Sequence, residues 1–136
     1  MEAAFYFWGN QEVEKELARR TEILLTDVEK ALRRFETAKS TGVKGDFYSE
    51  VKPFADEIKQ KAKEWEDEAI IWLEKHPQRH LHPQQIRSTA ENLEMVSVQA
   101  FFPESSRKRF LGFIQSIQYV LNDLLQAMDK TNHRNG

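Results

Sequence analysis

The chain has 136 residues, the length of one domain, and its 20 basic and 22 acidic residues leave a formal net charge of −2. It contains no cysteine, which excludes disulfides, thiolate metal sites and cysteine nucleophiles. With five glycines, four prolines, 31% charged and 40% hydrophobic residues, the composition is typical of a soluble helical domain, and we expect one domain over residues 1–136.

The N-terminal segment carries four consecutive aromatic residues, Phe5, Tyr6, Phe7 and Trp8. Its apolar run has no basic flank and stops at Gly9, so we do not expect a signal peptide. No other segment approaches the roughly 18 consecutive apolar residues of a membrane span. The lack of export signals and of cysteine predicts a cytoplasmic protein that does not bind a membrane.

The first predicted helix covers residues 11–38. Arg20 and Thr21 occupy a turn at which its apolar stripe is interrupted. The glycines and small polar residues at positions 40–46 end the helix. The apolar positions recur at the 3.6-residue period of one helix face and are Val13, Leu17, Leu24, Val28, Ala31, Phe35 and Ala38.

The second predicted helix covers residues 47–75, and Asp46 is the expected N-cap because its carboxylate can accept from free N–H groups. Pro53 leaves two alternatives, since it has no N–H to donate to the carbonyl of Ser49. Either the helix bends at Pro53, or Pro53 begins the main helix after a separate turn. We expect the bend, because the apolar phase continues through Pro53. That phase consists of Phe47, Val51, Phe54, Ile58, Ala62, Trp65, Ala69 and Trp72.

Two further helices are predicted at residues 83–102 and 106–129, followed by a polar, frayed tail. Pro103 ends the third helix because the residue before a proline disfavours the helical conformation, and Ser105 or Ser106 caps the fourth. The apolar stripe of the third helix is Ile86, Ala90, Leu93, Ser97, Ala100 and Phe101, with Val96 beside it. That of the fourth is Phe110, Ile114, Ile117, Leu121, Leu124 and Met128.

Four amphipathic helices with connections of a few residues predict an all-α fold, an up-and-down antiparallel four-helix bundle with a left-handed twist. Each helix then turns one apolar stripe toward a shared core. We expect that core to contain Trp65, Trp72, Phe54, Ile58, Leu24, Phe35, Ile117 and Leu121.

Three features of the chain resemble the YppE-like family of small four-helix proteins of Gram-positive bacteria. They are DFYSEVKPF at residues 46–54, the acidic tryptophan-containing helix that follows, and RKRF at residues 107–110 before a Leu/Ile-rich last helix. The resemblance covers about residues 11–128 and implies an up-and-down bundle. The family has no established activity, so the resemblance implies no catalytic residue. The aromatic N-terminal segment departs from the family pattern.

The segment KHPQRHLHP, residues 75–83, holds His76, His80 and His82, and imidazole ligands suit zinc, nickel or copper. In an extended loop His80 and His82 point to opposite sides, and Pro77 disfavours a turn that joins His76 to His80. We therefore expect a polar loop between helices with no metal. The alternative is a small metal- or ligand-binding bundle that uses these three histidines.

Other chemical sites find little support in the sequence. A di-iron bundle needs Glu-x-x-His on inward helix faces, and no glutamate precedes a histidine by three residues. No histidine lies within an apolar helical stripe, which argues against an axial haem ligand. The stretch TGVKGD lacks the spacing of a phosphate-binding loop. We expect no catalytic residue, no cofactor and no enzymatic activity.

The charged clusters are interpreted as surface features. The acidic residues at positions 64–68 flank the core phase, so we expect a solvated helix face rather than an acid–base pair. The basic run at residues 107–109 lies at a helix N-terminus, where positive charge is unfavourable. An acidic partner, or the neighbourhood of Glu104, Glu91 and Glu94, is expected to offset it. Three basic residues do not make a phosphate-binding face, so we expect no nucleic acid binding.

The third and fourth helices carry more apolar residues than one stripe needs, which leaves a thick core and an interface as alternatives. We predict a non-enzymatic interaction protein with an unknown protein partner. We also predict a homodimer that uses the outer face of helix 3 or 4 or the aromatic N-terminus. The apolar residues are Met95, Val96, Val98, Phe101, Phe102, Phe110, Leu111, Phe113, Ile114, Ile117, Tyr119, Val120, Leu121, Leu124 and Leu125.

Overall fold

The computed structural model describes the backbone of residues 2–135 and the side chains of residues 11–132. The helices are α1 (Glu2–Thr41), α2 (Lys52–Lys75), α3 (Pro83–Gln99) and α4 (Arg107–Asn135), with a π-helical turn (Phe47–Val51) before α2. Helices α1 and α3 each pack against both α2 and α4, which is the neighbour order of an up-and-down bundle. The predicted all-α antiparallel four-helix bundle is therefore confirmed.

One apolar core lies between the four helices. Seven of the eight predicted core side chains are buried, namely Trp65, Trp72, Ile58, Leu24, Phe35, Ile117 and Leu121. Phe54 is partly buried and packs against this core. The rings of Phe35 and Phe110 stack with centroids 4.0 Å apart and join α1 to α4. The predicted burial of two stripe residues is wrong, because Val13 is 51% exposed and Phe47 is 54% exposed.

Three helix ends differ from the predictions. Helix α1 begins at Glu2 rather than near residue 11, because the segment EAAF is rich in helix formers. The aromatic side chains at positions 5–8 lie outside the described side chains. Helix α3 ends at Gln99 rather than 102, where tight turns replace it. Helix α4 continues to Asn135, so the tail predicted to be frayed is helical; it contains no proline or glycine before the final residue.

The backbone before Pro53 forms a π-helical turn that runs into α2. The backbone N–H of Val51 donates to the carbonyl of Asp46 at 3.1 Å, and that of Lys52 donates to the carbonyl of Phe47. Both bonds have the i to i+5 spacing of a π-helical turn. Pro53 follows this turn as the second residue of α2, and the wider π-helical turn lies where its ring would otherwise crowd the preceding carbonyls. The π-helical turn continues directly into α2, so the helix predicted over residues 47–75 is continuous, and a bend at Pro53 stays a prediction.

Two predicted caps are confirmed. Asp46 Oδ2 accepts from both the N–H of Ser49, at 2.8 Å, and its hydroxyl, at 2.7 Å. These bonds, the hydroxyl bond foremost, hold the pKa of Asp46 below its usual value. At α4, Ser106 Oγ accepts from the N–H of Arg109 at 3.3 Å, so Ser106 is the cap.

Candidate functional site

The three histidines considered as metal ligands do not come together. His76 Nε2 faces Glu14 Oε1 at 3.5 Å, at the last turn of α2. His82 is extended, as predicted, and its N–H donates to Gln85 Oε1 at 2.8 Å. His80 is exposed on the other side of the connection. Within the part of the chain that the structure describes, no group of three or more His, Cys, Asp or Glu residues is placed to hold a metal ion.

A cleft of about 540 Å³ lies between the α2–α3 connection and the C-terminal half of α4. The connection contributes Arg79 and His80 to its lining, so His80 is the one member of the histidine set that faces it. Helix α4 contributes Asp123, Gln126 and Lys130. The cleft therefore combines cationic, acidic and amide groups in one concave surface.

Part of the acidic cluster in α2 binds across to α1. Arg20 Nη1 contacts Glu64 Oε2 at 2.5 Å, and Arg20 Nε contacts Glu68 Oε1 at 3.0 Å. Burial lowers the pKa of Arg20, but the attraction of Glu68 and Glu64 outweighs it and the pKa is raised. Asp67 pairs with Lys63 on the same helix. Glu64 and Glu68 stay partly exposed, as a solvated face requires, and in addition they join two helices, which the sequence reasoning did not predict.

One residue of the basic run at the start of α4 is paired with a carboxylate of α1. Arg107 Nη1 pairs with Glu36 Oε1. Glu104 pairs instead with Lys44, at 3.3 Å. The prediction that Glu104 offsets the positive charge of residues 107–109 is therefore wrong, because its carboxylate pairs with Lys44 in the α1–α2 connection.

A buried polar contact between α1 and α2 was missed by the sequence reasoning. Thr21 is fully buried, and its Oγ1 accepts from Trp65 Nε1 at 3.0 Å. The Thr21 hydroxyl in turn donates to the carbonyl of Leu17 at 2.7 Å. A signal was available, because a tryptophan at a core position needs an acceptor for its N–H. Thr21 stands where the apolar stripe of α1 is interrupted.

Two aromatic rings protrude from the π-helical turn. Tyr48 is 79% exposed and Phe47 is 54% exposed, and their rings meet edge to face with centroids 5.1 Å apart. Val43, in the connection just before, is 62% exposed. We call Val43, Phe47 and Tyr48 the aromatic turn. The sequence reasoning placed Phe47 in the core and did not single out Tyr48.

The aromatic turn stands on a tightly packed base. Val51 is buried, and Glu50 Oε2 accepts from Arg34 Nη2 at 3.0 Å. The Arg34 guanidinium lies 4.9 Å from the centre of the Phe101 ring. The N–H of Gly45 donates to the carbonyl of Phe101 at 3.0 Å, and a Cβ added at Gly45 would lie 2.5 Å from the Phe101 ring. Contacts from α1 and from the end of α3 therefore fix the backbone that carries the two rings.

The additional apolar residues of α3 and α4 turn mostly inward. Leu111, Phe113 and Leu125 are partly buried against the core. Val98 is 38% exposed and Tyr119 is 65% exposed. This arrangement favours the thick-core interpretation of α4. In addition, none of the helices described is both long and apolar enough to cross a membrane.

Comparison with known proteins places the same fold in several bacteria. The model of a bacterial domain of unknown function, DUF1798, matches residues 21–128. The uncharacterized protein YppE of Bacillus subtilis is 23% identical over 118 residues, which cover 87% of this chain and 96% of YppE. Its crystal structure has a TM-score of 0.83 at 22% identity and covers 88% of this chain and 97% of that one.

Two further crystal structures are similar. A protein of unknown function from Listeria innocua has a TM-score of 0.84 and 31% identity, and the match covers 89% of this chain and 97% of that chain. A DUF1798 domain from Staphylococcus aureus has a TM-score of 0.76 and 27% identity, with 84% of this chain and 96% of that chain covered. Both are described as proteins or domains of unknown function, so they add the fold and no activity.

Proposed function

The chain belongs to the DUF1798 family of bacterial domains of unknown function, and we propose that it is a non-enzymatic module that binds another protein through the aromatic turn. The membership confirms the predicted YppE-like resemblance. The observation that carries the proposal is the exposure of Phe47 and Tyr48 on a backbone that is otherwise well packed. Exposed aromatic side chains are typical anchors of protein interfaces.

The size of the aromatic turn indicates an anchor within a larger contact. An aromatic side chain buries about 150–250 Å² when covered, so the exposed parts of Phe47, Tyr48 and Val43 amount to roughly 300–400 Å². A stable interface buries about 800 Å² on each partner. Two copies that met only through their aromatic turns would therefore bury too little. A different protein with an apolar groove covers the rings and their polar surroundings together.

The rigidity and charge of the surroundings favour such a partner. A fixed backbone reduces the ordering cost of binding, and π-helical turns are frequent at functional sites. The nearby charges are paired with opposite ones, Lys44 with Glu104 and Lys52 with Asp56. This surface has no single-sign field to attract a nucleic acid. Recognition then depends on the shape of an apolar groove.

Two surface carboxylates with shifted pKa values are poor candidates for a general acid. The pKa of Glu57 is lowered chiefly by a hydrogen bond from Lys61, and that of Glu64 chiefly by one from Gln60. A catalytic acid needs a raised pKa instead. A chain without cysteine is also compatible with the cytoplasmic setting that we predicted, and we retain that setting as part of the proposal.

Affinity capture with matched variants tests the proposal. A tagged chain carrying Phe47→Ser and Tyr48→Ser is compared with the parent and with Tyr119→Ser, which removes another largely exposed tyrosine, from α4. We expect one partner to bind the parent and the Tyr119→Ser control equally, and to be recovered about tenfold less with the double variant. Circular dichroism should show the same fold, because exposed positions change stability by about 0.5 kcal/mol or less.

Two results would contradict the proposal. One is a partner that is recovered equally well from the double variant. The other is a partner that Tyr119→Ser loses as strongly as the double variant does, because that outcome places the contact on α4.

A further inference from the structure

We infer that the cleft between the α2–α3 connection and α4 binds a small organic anion, with Arg79, His80 and Lys130 as its partners on the protein. The up-and-down topology places this cleft at the end of the bundle opposite the aromatic turn. The inference therefore stands apart from the proposed protein contact. Either one can fail without the other.

The dimensions of the cleft suit a small molecule. Its volume of about 540 Å³ lies within the roughly 300–1,000 Å³ of most ligand sites. Leu81 and Ala127 belong to its lining and are 2% and 8% exposed, so they provide an apolar base. Polar side chains from two separate elements surround this base. An apolar base with a few polar groups around it is the usual composition of a ligand pocket.

The connection that carries Arg79 and His80 is held in place. Leu81 inserts into the core directly after them. Gln78 Nε2 donates to the carbonyl of His76 at 2.9 Å and fastens the other side of the connection. The backbone of Arg79 and His80 is therefore anchored next to the core by Leu81. An anchored backbone loses less entropy when a ligand binds.

The charges of the cleft favour an anion. Arg20, Arg34 and Arg107 all bind carboxylates of neighbouring elements. Across the described residues, Arg79 and Lys130 have no such carboxylate partner. A guanidinium presents two parallel N–H groups that match a phosphate or a carboxylate, and Lys130 adds a second positive charge.

The remaining polar groups narrow the class of ligand. Asp123 is the one carboxylate among the lining residues described, so the cleft lacks the ligand set of a hard metal ion. Its oxygens, and the amide of Gln126, can accept from hydroxyl groups at the uncharged part of a ligand. The best match is a small phosphate or carboxylate compound that also carries hydroxyl groups.

An NMR titration of the ¹⁵N-labelled full chain tests this inference. The probes are inorganic phosphate, glycerol 3-phosphate and citrate, with glycerol as the uncharged control. We expect saturable shifts of the amides at positions 79–81 and 126–131, and none with glycerol. Arg79→Ala and Lys130→Ala should each weaken binding about tenfold or more, while Arg87→Ala, an exposed cation on α3, should leave it unchanged.

A second variant keeps every charge and fills the space. Gln126→Trp should block binding of glycerol 3-phosphate and citrate, because the indole occupies the cleft. Three results would each overturn the inference: no saturable shift with any of the three anions, equal weakening by Arg87→Ala, or undiminished binding by a folded Gln126→Trp chain. Phosphate binding that survives Gln126→Trp while the organic anions do not bind indicates a surface ion contact and also contradicts it.

Discussion

Replacing Thr21 by valine tests the polar contact that joins α1 to α2 inside the core. Valine keeps the shape of threonine but removes the oxygen that accepts from Trp65 Nε1 at 3.0 Å. The indole N–H is then buried without a partner, since Trp65 is fully buried. Leaving one buried donor unpaired costs about 1–3 kcal/mol. We expect the free energy of unfolding to fall by about 2 kcal/mol.

The reciprocal change, Trp65→Phe, removes the donor instead. Thr21 then keeps its own bond to the carbonyl of Leu17, so no donor is orphaned. The loss of apolar contact and the small cavity cost about 2 kcal/mol. Once Trp65→Phe has removed the indole N–H, adding Thr21→Val costs little, because no buried donor is left to lose its acceptor. We expect the double variant to be about 1–2 kcal/mol more stable than the sum of the two single losses predicts.

Urea unfolding followed by circular dichroism measures all four chains. Thr26→Val is the matched control, because the exposed Thr26 hydroxyl bonds only the carbonyl of Glu22, and we expect a change within about 0.5 kcal/mol. Additive losses to within about 0.5 kcal/mol would refute the coupling. Trp65→Ala should cost about 3–5 kcal/mol, and a loss below about 1 kcal/mol would refute the assigned core face of α2.

Three further predictions concern metal binding, acid stability and self-association. In calorimetry, we expect no tight zinc or nickel binding that depends on the three histidines. Stoichiometric binding by the parent that is lost in the His76→Ala, His80→Ala, His82→Ala variant would contradict the separation of these histidines. Because the folded pKa of Asp46 is lowered, its stabilising contribution is complete above about pH 4 and is lost as the pH falls through the folded pKa. The stability difference between the parent and Asp46→Ala should therefore shrink in acid, and a constant difference on acidification would be inconsistent with this. Light scattering tests the predicted homodimer: a mass of 16.0 kDa throughout a dilution series rejects it, and loss of the dimer on deletion of residues 1–9 places the contact in the aromatic N-terminal segment.

The fold was predictable because the apolar period records which face of each helix meets the core. That period does not record where the neighbouring helices end. Glu14 already faces His76 at the last turn of α2, so Val13 lies beyond the end of that helix and stays exposed. The prediction that Phe47 is buried is wrong for a different reason. The π-helical turn has more residues per turn, and extending the α-helical phase backward from Val51 places Phe47 on the wrong side.

The candidate sites were less predictable than the fold. The pairs between Arg20 and Glu64 and between Arg107 and Glu36 depend on the rotation and register of whole helices, which no local pattern encodes. The cleft depends on α4 continuing past Met128, since its lining includes Lys130. A helix predicted to end near residue 129 lacks Lys130 and Thr131, so the α4 side of the cleft could not be predicted from the sequence.

Photocrosslinking at the aromatic turn measures the proposed protein contact most directly. A benzophenone amino acid replaces Tyr48 in one strain of the native host and Tyr119 in another, and the two chains are irradiated in living cells. The proposed function predicts a discrete adduct of one partner, heavier than the 16.0 kDa chain, at position 48 and little at position 119. Equal yields at the two positions, or no adduct at position 48, would contradict it.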